Sequence, residues 1–157
     1  EFLEDLEENP LDTGEADRPL TTSLARTGII GSLYSPESYP LLETGMQMAQ
    51  SGDGSVLLLL ADFYNGREDD GTFDNSQDAF IAVSALDYEP VGTPEEWEKQ
   101  AEEIAKENPV LGGEFGFASA GLDAWGATSR RPRAAVTAEG AAPIVVVGTT
   151  HDPATTW

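Results

Sequence analysis

The sequence predicts an α/β chain that is mostly helical in its first half and ends on a buried strand. Residues 142–147, Ala-Pro-Ile-Val-Val-Val, form an apolar, β-branched run that is typical of such a strand. The chain then passes through Gly148 to Asp152, which Pro153 follows. Loops at the carboxyl ends of parallel strands converge on the ligand crevice of α/β enzymes. We therefore interpret Asp152 as a candidate catalytic carboxylate.

Cap and turn signals divide the first half into short helices. Residues 1–8 can form one helix, and Thr21 or Thr22 can cap a second. The Ser-Pro-Glu sequence at 35–37 supplies a cap, a proline and an acid for the first turn of a third helix. Asp53 starts a fourth. Apolar residues recur between these signals at helical spacing, which predicts a packed core.

The second half mixes clear and ambiguous signals. Residues 79–86 form a continuous apolar run that ends at Asp87, and both a buried strand and a buried helix are possible because periodicity does not separate them. The Thr-Pro-Glu-Glu sequence at 93–96 is a capping box that opens a helix. Residues 112–126 are rich in glycine and predict a packed loop.

The charge of the chain excludes some classes of partner. It has 29 acidic residues against 8 basic residues, which gives a formal net charge of -21. Such a chain repels nucleic acid and anionic membranes, because phosphate binding requires Lys and Arg. No apolar run approaches the length of a membrane span. We therefore expect no nucleic-acid partner and no membrane span. The high acidic content itself is typical of proteins whose charge keeps them in solution.

The residue types also limit metal and cofactor chemistry. There is no cysteine, and His151 is the only histidine, so thiolate catalysis, disulfides and histidine-rich metal sites are excluded. Residues 67–75 look superficially like a calcium loop. With Gly71 at the sixth position, however, Gly66 takes the first position and no glutamate takes the twelfth. No phosphate-binding glycine motif is present. We expect neither a metal nor a cofactor.

A direct search for a catalytic nucleophile finds no strong candidate. A serine hydrolase usually presents its serine in a Gly-x-Ser-x-Gly turn. The nearest match, Gly-Phe-Ala-Ser-Ala-Gly at 116–121, is one residue too long, and we interpret Ser119 as a loop serine. His151 adjoins Asp152, but adjacent side chains leaving a strand diverge. That pair is poorly placed to act as a base and its orienting acid.

Several stretches, taken together, resemble one family. They are Asp-Gly-Ser at 53–55, Ala-Asp-Phe-Tyr-Asn-Gly at 61–66, Asn-Ser-Gln-Asp-Ala-Phe-Ile-Ala at 75–82, Ala-Leu-Asp-Tyr at 85–88 and the ending at 143–155. They are similar to the actinobacterial tripeptidyl aminopeptidases. These are secreted or cell-envelope serine peptidases of the α/β-hydrolase fold, related to the proline iminopeptidases.

The resemblance implies a fragment of an α/β-hydrolase. Residues 1–78 would form a helical cap region, and residues 79–157 would return to the core through two strands of the central parallel sheet. The second strand would end at Asp152, which the resemblance makes the acid of a Ser–Asp–His triad. Asp87, at the end of the first strand, would face the site and help hold the α-ammonium group of a peptide substrate. A structural salt bridge is the alternative role for Asp87.

The resemblance also implies partners. The nucleophile would lie before residue 1 and the histidine after Trp157, so the remaining segments of the hydrolase would supply both. Ala85 and Leu122 stand where the family commonly has cysteines, and His151 where glycine is usual. We therefore expect a portion of a secreted or cell-envelope serine aminopeptidase that is inactive alone. A stand-alone acidic binding or structural module without catalysis is the alternative.

Overall fold

The computed structural model divides the chain into two compact units. The first takes in the residues up to Asp74 and the described residues from Ala142 onward, and the second takes in the residues from Asn75 to Ala141. The structure describes residues 2–127, 129, 134–135, 137–148 and 150.

The described part of the first unit is built from helices joined by short turns. Its helices are α1 (Phe2–Glu8), α2 (Thr22–Ser32), α3 (Tyr39–Gln50) and α4 (Ser55–Asn65). The helices predicted at 1–8, after Thr21 and after Asp53 are confirmed. Thr21 caps α2 as expected, since its Oγ1 accepts a hydrogen bond from the backbone N–H of Leu24 at 3.4 Å.

The third helix begins later than the sequence predicts. Residues Pro36–Ser38 form a 3₁₀ turn, and α3 begins at Tyr39. Pro40 explains the difference, because it has no N–H with which to continue a helix begun at Pro36, whereas a proline in the first turn of α3 costs no hydrogen bond.

The core of the first unit surrounds α4 and takes buried residues from all four of the helices named above. Its buried residues are Leu6, Leu20, Ala25, Ala49, Leu57, Leu58 and Leu60. Gly28 allows α2 and α4 to approach closely, since a Cβ atom added there would lie 2.6 Å from the carbonyl oxygen of Leu57. The apolar sequence of α4 therefore serves as the central helix of this unit.

The second unit is also helical in its described part. Its helices are α5 (Ser76–Asp87), α6 (Pro94–Glu107) and α7 (Ala118–Trp125). The capping box predicted at 93–96 is confirmed: Thr93 Oγ1 accepts from the N–H of Glu96, and the Glu96 carboxylate accepts from the N–H of Thr93. The loop predicted at 112–126 is wrong, because a 3₁₀ segment (Gly112–Phe117) and α7 occupy it.

The strand that the resemblance implied at 79–86 is wrong. These residues lie inside α5, which continues to Asp87. The run contains alanine at positions 79, 82 and 85, and alanine has the highest helix propensity. Only Ala85 is buried, so the run does not have the two covered faces that a strand in a parallel sheet requires.

The strand predicted at 142–147 is also wrong. Ile144 to Val147 are 70% to 89% exposed, and no ladder of backbone hydrogen bonds joins them to another segment in the described part of the chain. Only isolated bridges occur there, such as the antiparallel pair Leu11 and Leu20. A β-branched run becomes a strand only when a neighbouring strand pairs with it. The described residues are helical, and the predicted α/β class with two sheet strands is contradicted.

Candidate functional site

The predicted catalytic acid is not placed by the structure. Asp152 and its neighbour His151 lie outside the described residues. The role of Asp152 as a triad acid therefore stays a prediction.

Asp87 is the last residue of α5, and its side chain is exposed. No ion pair of Asp87 occurs within the described residues, and the structural salt bridge considered above stays an open alternative. A carboxylate at the carboxyl end of a helix is disfavoured by the helix dipole. Asp87 therefore does not stabilise its own helix, and its role in substrate binding stays a prediction.

A cavity of about 520 Å³ opens beside α1 in the first unit. It lies between α1, Leu11 and the carboxyl end of α3. Its lining residues are Phe2, Asp5, Leu6, Asn9, Leu11, Ala49 and Gln50. This volume falls in the range of about 300–1,000 Å³ that is typical of small-molecule sites. The lining mixes apolar and polar side chains, and no local pattern in the sequence predicts it.

A smaller cavity of about 340 Å³ brings Asp12 and Asp53 to one place. Both carboxylates already accept hydrogen bonds from their own turns: Asp12 from the N–H of Gly14 and Asp53 from the N–H of Ser55, each at 2.9 Å. Hydrogen bonding to Ser55, by its side chain and its backbone, lowers the pKa of Asp53. Across the described ranges, no group of three or more His, Cys, Asp or Glu residues is arranged to hold a metal ion.

The acidic stretch at 67–75 contains a tight turn that is closed by its own hydrogen bonds. The N–H and the hydroxyl of Thr72 both donate to Oδ1 of Asp70, at 2.9 Å and 2.6 Å. The N–H of Glu68 donates to the carbonyl oxygen of Thr72 at 2.8 Å. The two hydrogen bonds from Thr72 hold the Asp70 carboxylate within the turn.

An ion-pair cluster that the sequence did not reveal joins distant parts of the first unit. Arg18 donates to both carboxylate oxygens of Asp62 on α4, at 2.9 Å and 2.6 Å. Arg67 Nη1 lies 3.8 Å from the same carboxylate, and Glu15 accepts a further hydrogen bond from Arg18 at 3.0 Å. Hydrogen bonding to Asp62 raises the pKa of Arg18. The cluster fixes the turn before α2 against α4.

Ser119 has a structural partner in the second unit. It lies in the first turn of α7, and its Oγ accepts a hydrogen bond from the N–H of Val91 at 3.3 Å. The indole N–H of Trp97 donates to the carbonyl oxygen of Val91 at 2.7 Å. Ser119 therefore helps hold the segment that leads into α6.

Comparison with known proteins shows which larger proteins contain a similar stretch. The chain is 40% identical over 144 residues to carboxylesterase B of Mycobacterium tuberculosis, a match that covers 89% of this chain and 28% of that protein. It is 38% identical over 146 residues to proteins named serine protease Hip1 in Mycobacterium tuberculosis and Mycobacterium bovis, with the same coverage. No family model matches the sequence.

These names agree on hydrolysis and differ on its substrate. One relative is named an esterase and the others a protease, so the comparison supports a hydrolase family for this chain. None of these names is that of a tripeptidyl aminopeptidase, so the comparison supports only the coarser part of the resemblance. The chain spans only 28% of the length of the curated relatives it matches.

No helix among the described residues combines the length and the apolar character needed to cross a membrane.

Proposed function

We propose that the chain is a portion of a serine hydrolase, to which it contributes a helical cap region and the triad acid Asp152. The observation that carries the proposal is the similarity of 89% of the chain to a carboxylesterase and to a serine protease. Hydrolysis of an ester and of a peptide both begin with attack on an acyl carbonyl carbon. A serine triad serves either reaction through an acyl-enzyme.

In this proposal the segments outside the 157 residues supply the serine and the histidine. The serine attacks the carbonyl carbon while the histidine takes its proton, and the histidine later returns that proton to the leaving group. Asp152 accepts a hydrogen bond from the histidine, orients it and stabilises the imidazolium. The isolated chain would hold the triad acid without the triad histidine that it orients, so we expect it to be inactive.

We further propose that the complete enzyme removes residues from peptide amino termini. The basis is the resemblance of residues 85–88 and 143–155 to the tripeptidyl aminopeptidases, which also implies a secreted or cell-envelope location. An aminopeptidase needs a carboxylate for the substrate's α-ammonium group, and the exposed Asp87 is our candidate. The proposed reaction gives no role to the cavity beside α1.

A chimeric enzyme tests the role of Asp152. In carboxylesterase B of Mycobacterium tuberculosis, the matched stretch of 144 residues is replaced by this chain, and hydrolysis of a nitrophenyl ester and of aminoacyl nitroanilides is measured. Asp152→Asn should lower kcat by about 10⁴-fold. Asp69→Asn, a change in an exposed turn, is the matched control and should leave kcat unchanged. Near-normal turnover in a folded Asp152→Asn chimera would remove Asp152 from the triad.

The same chimera tests Asp87. Asp87→Asn should raise KM for substrates with a free amino group and leave N-acetylated substrates unaffected. An equal effect on both kinds of substrate would contradict the proposed contact with the α-ammonium group. In addition, a fluorophosphonate probe should not label the isolated chain, and labelling of Ser119 or any other serine in it would overturn our placement of the nucleophile.

A further inference from the structure

Two tyrosine side chains meet where α2 and α4 end. Tyr34 follows α2, and Tyr64 lies in the last turn of α4. Their ring centroids are 5.8 Å apart with the planes inclined at 46°, and the two phenol oxygens are 3.5 Å apart. The two phenols are separated by 30 positions in the sequence, so the fold brings them together.

The packing of the helices places this pair. A Cβ atom added to Gly31 on α2 would lie 2.7 Å from Cδ2 of Tyr64 and 2.9 Å from its Cβ, so glycine makes room for the Tyr64 ring against α2. The N–H of Tyr34 donates to the carbonyl oxygen of Gly31 at 3.4 Å. Gly31 therefore helps to place both tyrosines. The Tyr64 ring packs against it, and its carbonyl oxygen accepts the hydrogen bond from Tyr34.

Solvent reaches the tyrosine pair mainly at Tyr34. The Tyr34 side chain is 55% exposed, whereas Tyr64 is half-buried. An oxidant in solution can therefore reach the Tyr34 ring, and exposed side chains change rotamer within nanoseconds. That motion lets the two rings approach each other in more than one orientation.

We propose that Tyr34 and Tyr64 form an oxidative modification site, at which a haem peroxidase using hydrogen peroxide joins the two rings as dityrosine. Each phenol loses one electron and one proton. A carbon–carbon bond forms between the ring carbons adjacent to the two oxygens, and the hydrogens on those carbons move to the oxygens to restore both phenols. Hydrogen peroxide accepts the two electrons and two protons and is reduced to two molecules of water.

The cross-link would tie the end of α2 to the end of α4. It would close a loop between residues 34 and 64, as a disulfide does, and restrict the unfolded chain. We therefore expect the thermal midpoint of the cross-linked chain to rise.

The test treats the whole chain at low concentration with a haem peroxidase and hydrogen peroxide. The expected product is a monomer lacking two hydrogen atoms, with dityrosine fluorescence and a cross-linked peptide pair containing Tyr34 and Tyr64. Tyr34→Phe and Tyr64→Phe each remove one phenol and keep the ring, and each should abolish this product. Tyr39→Phe is the matched control, because Tyr39 is similarly exposed at 46%, and it should leave the yield unchanged.

The yield should not depend on protein concentration, since the reaction is within one chain. Circular dichroism establishes that each variant is folded before oxidation. Covalent dimers without an internal cross-link would overturn the proposal. A cross-linked monomer formed equally well by folded Tyr34→Phe would overturn it too.

Discussion

The guanidinium group of Arg18 and the carboxylate of Asp62 form a bidentate ion pair with two hydrogen bonds. The two residues are 44 positions apart in the sequence. The side chains are 24% and 15% exposed, so solvent screens the pair only in part. Such two-point contacts are among the stronger polar interactions in proteins, because both hydrogen bonds are charge-assisted and their geometry is fixed. The turn before α2 is held to the central helix by this contact.

We expect Asp62→Asn to lower the free energy of unfolding by about 1–2 kcal/mol, since it removes the charge that Arg18 and Arg67 share. Arg18→Lys should have a smaller effect, because a lysine ammonium cannot donate in a fork. Asp69→Asn is the control and should change stability by less than about 0.5 kcal/mol. Urea unfolding followed by circular dichroism measures all three, and equal stability of the two asparagine variants would contradict the assigned role.

Gly28→Ala should destabilise the first unit. Alanine in a helix is ordinarily favoured over glycine by about 0.5–1 kcal/mol, but here the new Cβ would collide with the backbone of α4. Gly121→Ala is the matched control, since a Cβ atom in α7 would meet nothing within 4 Å, and it should stabilise its helix. Thermal unfolding of both variants should therefore give shifts of opposite sign. A stabilising Gly28→Ala would mean that α2 and α4 are farther apart than described.

Thr93→Ala should cost about 1 kcal/mol, because it removes the side chain that caps α6. Thr93→Ser keeps the hydroxyl and should be close to neutral. The buried Trp97 lies in the first turn of α6 and provides a fluorescence signal for unfolding of the second unit. If both variants are destabilised to the same degree, the methyl group of Thr93 and not its hydrogen bond is responsible.

The hydrogen bond with Tyr34, assisted by burial, raises the pKa of Tyr64 to about 12. The neutral phenol is therefore favoured in the folded chain. Its stabilising contribution is fully present below the ordinary tyrosine pKa of about 10 and is lost as the pH rises toward 12.

A rapid pH-jump titration of tyrosine absorbance should resolve one late-ionising phenol. Tyr64→Phe should remove it, and Tyr34→Phe should shift it to lower pH. Tyr39→Phe should leave it in place. A late titration that persists in folded Tyr64→Phe would assign the high pKa to another residue.

The sequence predicted those parts of the fold that depend on neighbouring residues. Thr21 and Thr93 each cap a helix through a backbone N–H three residues away, and such contacts can be inferred from a short window. The fork between Arg18 and Asp62 has no such signal, because nothing local selects one aspartate among 29 acidic residues. The cavity beside α1 was missed for the same reason, since two stretches that are distant in the sequence, 2–11 and 49–50, line it together.

The two predicted strands failed for different physical reasons. At 79–86 the composition was ambiguous, and the alanines favour a helix that needs no partner segment. At 142–147 the pattern was a strand pattern, but a strand depends on pairing with another segment, and none pairs with it in the described part of the chain. The candidate site is a harder case. Asp152 was assigned from its place after the predicted strand at 142–147 and from the family resemblance, and it lies outside the described residues.

The exposed run from Ile144 to Val147 has a consequence for the colloidal behaviour of the isolated chain. An exposed, uncharged segment with β-branched side chains can stack against its copies in other molecules, as in a fibril. Mutual repulsion between chains of net charge -21 opposes that stacking at neutral pH. Acidification neutralises the carboxylates and should therefore increase self-association. High salt should also increase self-association, because it screens the repulsion between the charged chains.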